Sequence, residues 1–294
     1  MEFFIQQLVN GIALGSLYAL TAIGYSLVYA VLELINFTHG TMYMVGAYLF
    51  YIFVILVGIP FFPAFLLAIL LTGCLGYLIE RYTLRPLRKK KLPKFTALIC
   101  TIGVSIVIQN VMLLFLGSET RQYPTLFDGE YITVATANVS YIQLFVIAMS
   151  ILMMVGLTIF IKKSKTGMAM RATAQNAEAT ELMGIPADRV VGLTFFFGAV
   201  LAAVSGIFAC MIFRSVNLSI GVATGNKTFA ATVLGGIGEL RGAVLGGLLI
   251  GIVETFTAGY IGSSIRDIAA FVVLVIVLIF RPCGLLGKPV QKKV

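Results

Sequence analysis

The chain has 294 residues, of which 60% are hydrophobic and only 11% are charged, and its formal net charge is +9. Soluble domains are about half apolar and about one quarter charged, so this composition excludes a water-soluble globular protein. The basic residues cluster beside apolar segments without interleaved aromatic residues, so we expect no nucleic-acid partner.

Apolar segments of about 20 residues recur along the chain, which is the length of a helix that crosses the hydrocarbon core of a membrane. Continuously apolar runs such as 145–161 exclude the alternating strands of a transmembrane β-barrel. We therefore predict an all-α, polytopic helical membrane protein, one transmembrane domain over 1–294 with about eight or nine spans. The predicted spans are 3–29, 37–57, 61–80, 95–117, 141–161, 190–212, a broken or re-entrant one at 222–237, 242–260 and 266–281.

Clusters of lysine and arginine indicate which links face the cytoplasm. The links at 81–94 and 162–189 are strongly basic, whereas the stretch 118–140 contains Arg121 among acidic residues. Because basic links stay on the cytoplasmic side, we expect both clusters inside and the stretch 118–140 outside. The N-terminus is then outside if the second span is complete, and inside if that span is re-entrant.

Polar residues inside or between the predicted spans are the candidates for lining a translocation pathway, because a polar group in the membrane is costly unless it faces protein or water. These candidates are Asn36, His39, Gln109, Asn110, Asn226 and Glu254. For Glu254, an ion pair with Lys227 is an equally good interpretation. For Gln109 and Asn110, hydrogen bonding between helices is favoured over contact with a substrate.

His39 is the only histidine, in the short polar break 35–40. It lacks the cysteine or carboxylate neighbours of a metal site, and no catalytic set can be assembled around it. We favour a structural turn in which Asn36 and His39 satisfy backbone groups. We expect no metal, no cofactor and no enzymatic activity in this chain.

Glycines spaced four residues apart predict close packing of helices in the last third of the chain. They are Gly238, Gly242 and Gly246 in one row, and Gly247 and Gly251 in another. The run 235–238 is also compatible with a helix break that lines a cavity.

The link 162–189 contains the best-formed helical pattern outside the spans. Residues 171–183 are rich in helix formers, and Gly184 with Pro186 predicts the end of one short surface helix. Small Ala174 and Ala179 keep this helix slim, and its charged face suits a cleft in another protein. An ordinary solvated helix is the alternative. The charged residues of that face are Arg171, Glu178 and Glu181.

Several sequence motifs, in order from the first span to the last third of the chain, resemble those of the permease subunits of branched-chain amino acid ABC importers. They are 15–20 (GSLYAL) with 24–25 (GY), 35–40 (INFTHG), 171–176 (RATAQN), 183–185 (MGI), 188–190 (DRV), 231–238 (ATVLGGIG) with 242–243 (GA), and 281–287 (RPCGLLG). The chain contains no Walker-type phosphate loop, so a partner would supply any nucleotide chemistry.

The resemblance implies a multi-pass protein of the bacterial cytoplasmic (inner) membrane that imports branched-chain amino acids. Its implied partners are a second permease subunit, two cytoplasmic ATPases and an extracytoplasmic substrate-binding protein, with membrane lipid around the spans. It also implies that residues 171–184, within the link 162–189, form the coupling element that docks on the ATPase. The coupling residues would be Arg171, Ala174, Glu178, Ala179, Glu181 and Gly184.

Two other transport functions remain open. Relatives in the family that this sequence resembles transport urea, short amides or other amino acids, so an importer with another substrate is one of them. The other is an ion-coupled secondary transporter that works alone, with Glu254 and His39 as the coupling groups. A membrane scaffold without transport would be a third class.

Overall fold

The computed structural model describes residues 2–125, 131–134 and 137–287. The α-helices of this part of the chain are α1 (Glu2–Leu32), α2 (Thr38–Tyr51), α3 (Phe61–Ile79), α4 (Arg85–Lys89), α5 (Lys94–Leu116), α6 (Tyr141–Lys163), α7 (Lys165–Gln175), α8 (Ala177–Leu182), α9 (Ala187–Phe213), α10 (Ile220–Gly235), α11 (Leu240–Tyr260) and α12 (Arg266–Phe280). A π-helical turn at Ile52–Leu56 extends α2, and another at Glu80–Leu84 joins α3 to α4. A 3-10 turn at Ser263–Ile265 precedes α12.

Eight of the helical segments in the described ranges are long and apolar enough to cross a membrane, which confirms the all-α polytopic class. The helix α10 is not among them, because it has only 16 residues. The sequence predicted a broken or re-entrant segment at 222–237, with the run 235–238 as one possible helix break. In the structure α10 is continuous up to Gly235, and the break lies between Gly235 and Leu240, where α11 begins. The chain then leaves the helix through Gly236, whose positive φ of 110° is a conformation that glycine adopts readily.

The centre of the bundle consists of α1, α2 and α9, which are buried along most of their length. The helices α5, α6 and α12 leave most of their apolar side chains exposed or only half-buried. A helix that is apolar all round and exposed in the isolated chain is expected to face lipid or another subunit. The helix α11 packs along α1 and also contacts α10 and α12.

Small residues allow these helices to approach closely. A side chain at Gly251 would overlap the backbone of Gly15 in α1, and one at Gly246 would overlap the carbonyl oxygen of Ala231 in α10. Gly247 and Gly242 lie in equally close contacts, with Ala19 and Gly235.

The prediction for Gly238 was wrong. This residue precedes α11, and an added Cβ would come no closer than 3.5 Å to its nearest neighbour, an atom of Tyr29. Its positive φ of 85° is a conformation that glycine adopts readily, so Gly238 allows the chain to turn here. It does not serve close packing between helices.

The two basic links lie at the same end of the bundle, which we call the basic end. Arg85 donates to Asp188 at the start of α9 (Nη2–Oδ2, 2.6 Å), and Lys94 pairs with Glu33 just after α1 (Nζ–Oε2, 2.5 Å). Arg171 at the same end reaches the carbonyl oxygen of Lys162. This common location agrees with the expectation that both links face one side of the membrane.

The opposite end, which we call the far end, carries two small antiparallel sheets that the all-α prediction did not include. The strands are β1 (Arg121–Gln122), β2 (Tyr131–Val134), β3 (Ala137–Ser140) and β4 (Ser215–Val216). The pairing of β1 with β4 aligns Arg121 with Val216, and the pairing of β2 with β3 aligns Tyr131 with Ser140. These strands are too short to have a readable period-two pattern, and the first pairing joins segments that are far apart in the chain.

Candidate functional site

A cleft between α2, α5 and α10 brings together two of the predicted pathway residues. This polar cleft has a volume of about 230 Å³ and contains Gln109 of α5 and Asn226 of α10. The Gln109 amide nitrogen donates to Ser105 (3.1 Å), whose hydroxyl lies 2.5 Å from that of Thr41 in α2. The cleft therefore offers neutral donors and acceptors, and no charged side chain among the described residues lines it.

The floor of the polar cleft is backbone, because glycines meet where α2 and α10 begin. A Cβ on Gly40 would come within 2.5 Å of the carbonyl oxygen of Gly221 and 2.8 Å of the Cα of Gly225. This contact places the start of the short helix α10 against the start of α2, within the apolar depth of the bundle. Asn226, one residue after Gly225, is exposed on the cleft side.

A second depression continues the polar cleft toward the far end. It has a volume of about 410 Å³, and Gln109 borders both spaces. Asn110 lies in this depression and donates to the carbonyl oxygen of Ile106 (2.8 Å) within its own helix. The other polar residues that line it are Ser118, Thr120, Asn217 and Ser219. Polar groups thus follow one face of the chain from the far end into the cleft.

Asn36 and His39 lie beneath the polar cleft and are buried. The Asn36 side-chain oxygen accepts from the backbone N–H (3.1 Å) and the hydroxyl (2.6 Å) of Thr38, which satisfies donors at the start of α2. The His39 Nε2 lies 3.1 Å from the carbonyl oxygen of Thr21, and its ring packs against Tyr25. These contacts support the structural turn, and neither side chain lines the cleft.

Glu254 does not lie in the polar cleft. Its Oε1 pairs with Lys227 (2.6 Å), and its Oε2 accepts from the Tyr18 hydroxyl (2.7 Å). Lys227 also pairs with Asp267 (2.7 Å), and Arg266 reaches both carboxylates at 3.5 and 3.4 Å. We call these five residues the charge cluster. Glu254 is 2% exposed and Lys227 is 5% exposed, so a buried ion pair joins α10 to α11. The Tyr18 hydroxyl links this pair to α1, and the half-exposed Asp267 and Arg266 link it to α12.

The predicted coupling segment forms two helices instead of one. Asn176 has extended backbone, and its side-chain oxygen accepts from the N–H of Ala179 (3.0 Å), so it ends α7 and caps α8. Gly184 has a positive φ of 81°, and its N–H donates to the carbonyl oxygen of Glu181, which terminates α8 as the sequence indicated.

The predicted coupling residues do not share one face. Ala179, Glu178 and Glu181 are exposed on α8. Arg171 and Ala174 of α7 instead line a cavity between α7 and the bundle.

Two exposed apolar residues of α8 and its C-terminal turn were missing from the predicted coupling set. Leu182 is 89% exposed and Met183 is 82% exposed. Met183 borders a groove of about 480 Å³ between α7 and α8, together with Met168 and Ile185. Large apolar residues in a link predicted to be cytoplasmic could have signalled this surface, because such residues are usually covered by a partner.

Eight candidate spans, a polar cleft at membrane depth and an exposed apolar surface at the basic end define a polytopic membrane transport permease. The chain belongs to the family described as branched-chain amino acid transport system / permease component, which matches residues 7–280. It is a multi-pass protein of the bacterial inner membrane, and as the permease component of an ABC transport system it works with an ATPase and other subunits.

Curated relatives match nearly the whole chain. The high-affinity branched-chain amino acid transport system permease protein BraD of Pseudomonas aeruginosa is 42% identical, with 99% of this chain and 98% of that protein covered. The corresponding permease protein LivH of Escherichia coli K12 is 39% identical with the same coverage. Among solved structures, PsaBC from Streptococcus pneumoniae in complex with Fab has a TM-score of 0.52 at 14% identity, and covers 95% of this chain and 91% of that chain. The last comparison shows a shared fold alone.

Proposed function

We propose that this chain lines the pathway of an ATP-driven, binding-protein-dependent importer of branched-chain amino acids, and that the polar cleft is its half of that pathway. The observation that carries the proposal is the continuous polar face on which Gln109 borders both the cleft and the far-end depression. Polar side chains directed at lipid are costly, so this face requires a covering partner. A second permease subunit is the partner that completes a closed pathway.

The chemistry of the polar cleft suits a zwitterionic amino acid with an apolar side chain. Carboxamide and hydroxyl groups can bind the ammonium and carboxylate groups of such a substrate without preferring one charge. The apolar residues Phe37, Ile102 and Val222 line the same cleft and can contact an aliphatic side chain. The names of the BraD and LivH relatives support this substrate class.

The remaining partners are assigned to the two ends of the bundle. An extracytoplasmic binding protein would deliver substrate at the far end, and two ATPases would bind at the basic end, which the positive-inside bias places in the cytoplasm. ATP hydrolysis would occur in those ATPases, so this chain is not itself an enzyme and needs no cofactor. The coupling segment 162–189 would transmit their motion through α7 and α8.

Substitution of Asn226 tests the pathway. Asn226→Trp is expected to lower the rate of amino acid uptake at least tenfold, because an indole ring fills the polar cleft. The measurement is ATP-dependent uptake of labelled leucine by the assembled importer in liposomes. Leu152→Trp, on an exposed apolar face of α6, adds the same ring and should leave uptake nearly unchanged.

Two outcomes of this experiment would contradict the pathway proposal. Normal uptake by the Asn226→Trp importer would place the pathway elsewhere. Uptake driven by an ion gradient through the chain alone, without ATP, would favour the secondary transporter instead.

Substitutions in the exposed apolar surface of α8 and its C-terminal turn test the coupling proposal. Leu182→Ser with Met183→Ser is expected to weaken binding of the ATPase at least tenfold, because buried apolar anchors each contribute about 1 to 2 kcal/mol at an interface. Affinity is measured with the purified permease and its ATPase. Leu92→Ser changes a half-exposed leucine in the other basic link and serves as the matched control. Unchanged affinity in the double variant would remove α8 and this turn from the interface.

A further inference from the structure

A cavity at the basic end has cations at its rim and apolar walls. This basic-end cavity has a volume of about 340 Å³ and lies between α1, α6, α7 and the turn that precedes α11. Leu27, Val31 and Val244 form part of its apolar wall, and Lys162, Arg171 and Arg241 supply its positive charge. Among the described residues that line the cavity, Glu239 is the only acidic one, so the formal charge of this lining is positive.

The three cations of this cavity have no carboxylate partner within the described ranges. Arg171 donates only to the carbonyl oxygen of Lys162 (3.2 Å), and no described ion pair includes any of the three. The other basic link differs, because Arg85 and Arg88 there both pair with Asp188. Like charges gathered around one cavity repel each other, so an anion that enters between them is stabilised.

The position of these groups along the helices sets their depth in the membrane. Lys162 is the second-to-last residue of α6, and Arg241 is the second residue of α11, so both lie at ends of membrane-spanning helices. Leu27 and Thr158 line the same cavity from one turn deeper in α1 and α6. The cavity thus combines cations at headgroup depth with apolar surface at the depth of the first acyl carbons.

We propose that the basic-end cavity binds the headgroup of an anionic glycerophospholipid from the adjacent leaflet. The phosphate would lie between Lys162, Arg171 and Arg241, and the first acyl carbons would contact the apolar wall. Basic pockets between spans at the cytoplasmic side are known to take such headgroups. Because Met170, Arg171 and Ala174 of α7 line the cavity, a bound lipid would also hold α7 against the bundle.

The test compares lipids on the purified full-length chain by native mass spectrometry in detergent. Phosphatidylglycerol is expected to bind at one saturable site and to bind much more tightly than zwitterionic phosphatidylcholine. Replacing Lys162, Arg171 and Arg241 together by glutamine should weaken phosphatidylglycerol binding roughly a hundredfold, since each surface cation contributes about 1 kcal/mol, or roughly fivefold. The triple variant Lys89→Gln, Lys90→Gln and Lys91→Gln removes the same charge at the same end and should keep the site.

A second variant separates folding from binding. Ala30→Leu narrows the cavity and leaves all three cations in place, so it should also lower phosphatidylglycerol binding while the chain elutes as a single folded species. Equal losses in the two charge variants would show a diffuse electrostatic effect and would overturn the proposal. Equally tight binding of soluble glycerol phosphate would overturn it too, because the apolar wall would then contribute nothing.

Discussion

Glu254→Ala is expected to lower the free energy of unfolding of the purified chain by about 3 to 5 kcal/mol, because it leaves the Lys227 ammonium buried without its nearest counter-charge. It also removes the acceptor of the Tyr18 hydroxyl. Asp267 would remain as a partner for Lys227, but it is half exposed and lies at the start of α12. The measurement is the thermal midpoint of the chain in detergent.

Two further variants test whether the loss of stability in Glu254→Ala comes from the unpaired buried charge. Glu119→Ala removes an exposed carboxylate at the far end and should change the midpoint very little. Lys227→Met combined with Glu254→Leu removes both buried charges and should recover most of the lost stability, because apolar replacements of a buried pair are often neutral. If the Glu254→Ala variant were as stable as the parent chain, Asp267 or water would be enough to compensate the charge of Lys227, and the Lys227–Glu254 pair would not be needed for stability.

The double variant also separates a structural role from a role in transport. Lys227 follows Asn226, so the charge cluster fixes the rotation of α10 that directs Asn226 into the polar cleft. If the double variant is stable and still transports, the cluster serves folding alone. If it is stable but inactive, the orientation of α10 is needed for transport.

The spans could be predicted from the sequence because length and apolar content decide them. Predicted and observed ends agree within a few residues for α1 and α9, where polar residues mark the boundaries. The prediction ended the third span at residue 80, whereas a π-helical turn carries the helix on into α4. Hydrophobicity does not encode that continuation, since Glu80 and Arg88 are held there by pairing with each other.

The sequence could identify which polar residues belong to the candidate site, but not how they are arranged in space. Gln109 and Asn226 stood out because they are polar within apolar segments, but their meeting in one cleft depends on glycine contacts between α2 and α10. The pair Lys227–Glu254 was an open alternative because intramembrane charges usually find each other. The ion pair between Asp267 and Lys227 could not be predicted from the sequence. Asp267 lies in α12, beyond the turn that follows α11, so only the fold shows that it reaches Lys227.

In the coupling segment, one capping residue divides a stretch whose composition predicts a single helix. Residues 171–183 are rich in helix formers, and one helix was the natural prediction. Asn176 interrupts it because an asparagine side chain can replace the missing helical bond at the start of a new helix. A residue that can cap a helix therefore predicts a boundary even where its neighbours have high helix propensity.

Gly251→Ala is expected to disrupt the contact between α1 and α11. The added methyl group would overlap the backbone of Gly15 and lie 3.0 Å from the carbonyl oxygen of Gly11, so backbone would have to move. Overpacking of a tight contact costs about 1 to 3 kcal/mol, and more where backbone must shift. The thermal midpoint and the yield of monodisperse protein should both fall.

Two other glycines, which lie in transmembrane helices but outside close helix contacts, serve as controls for Gly251→Ala. At Gly103 of α5 and Gly156 of α6, no heavy atom in the described part of the chain lies within 4 Å of an added Cβ. Alanine at either position should be neutral or should stabilise the helix by about 0.5 to 1 kcal/mol. If Gly251→Ala were as stable as these two controls, α1 and α11 could not be in close backbone contact. The Tyr18–Glu254 hydrogen bond, one turn away, would then need another explanation.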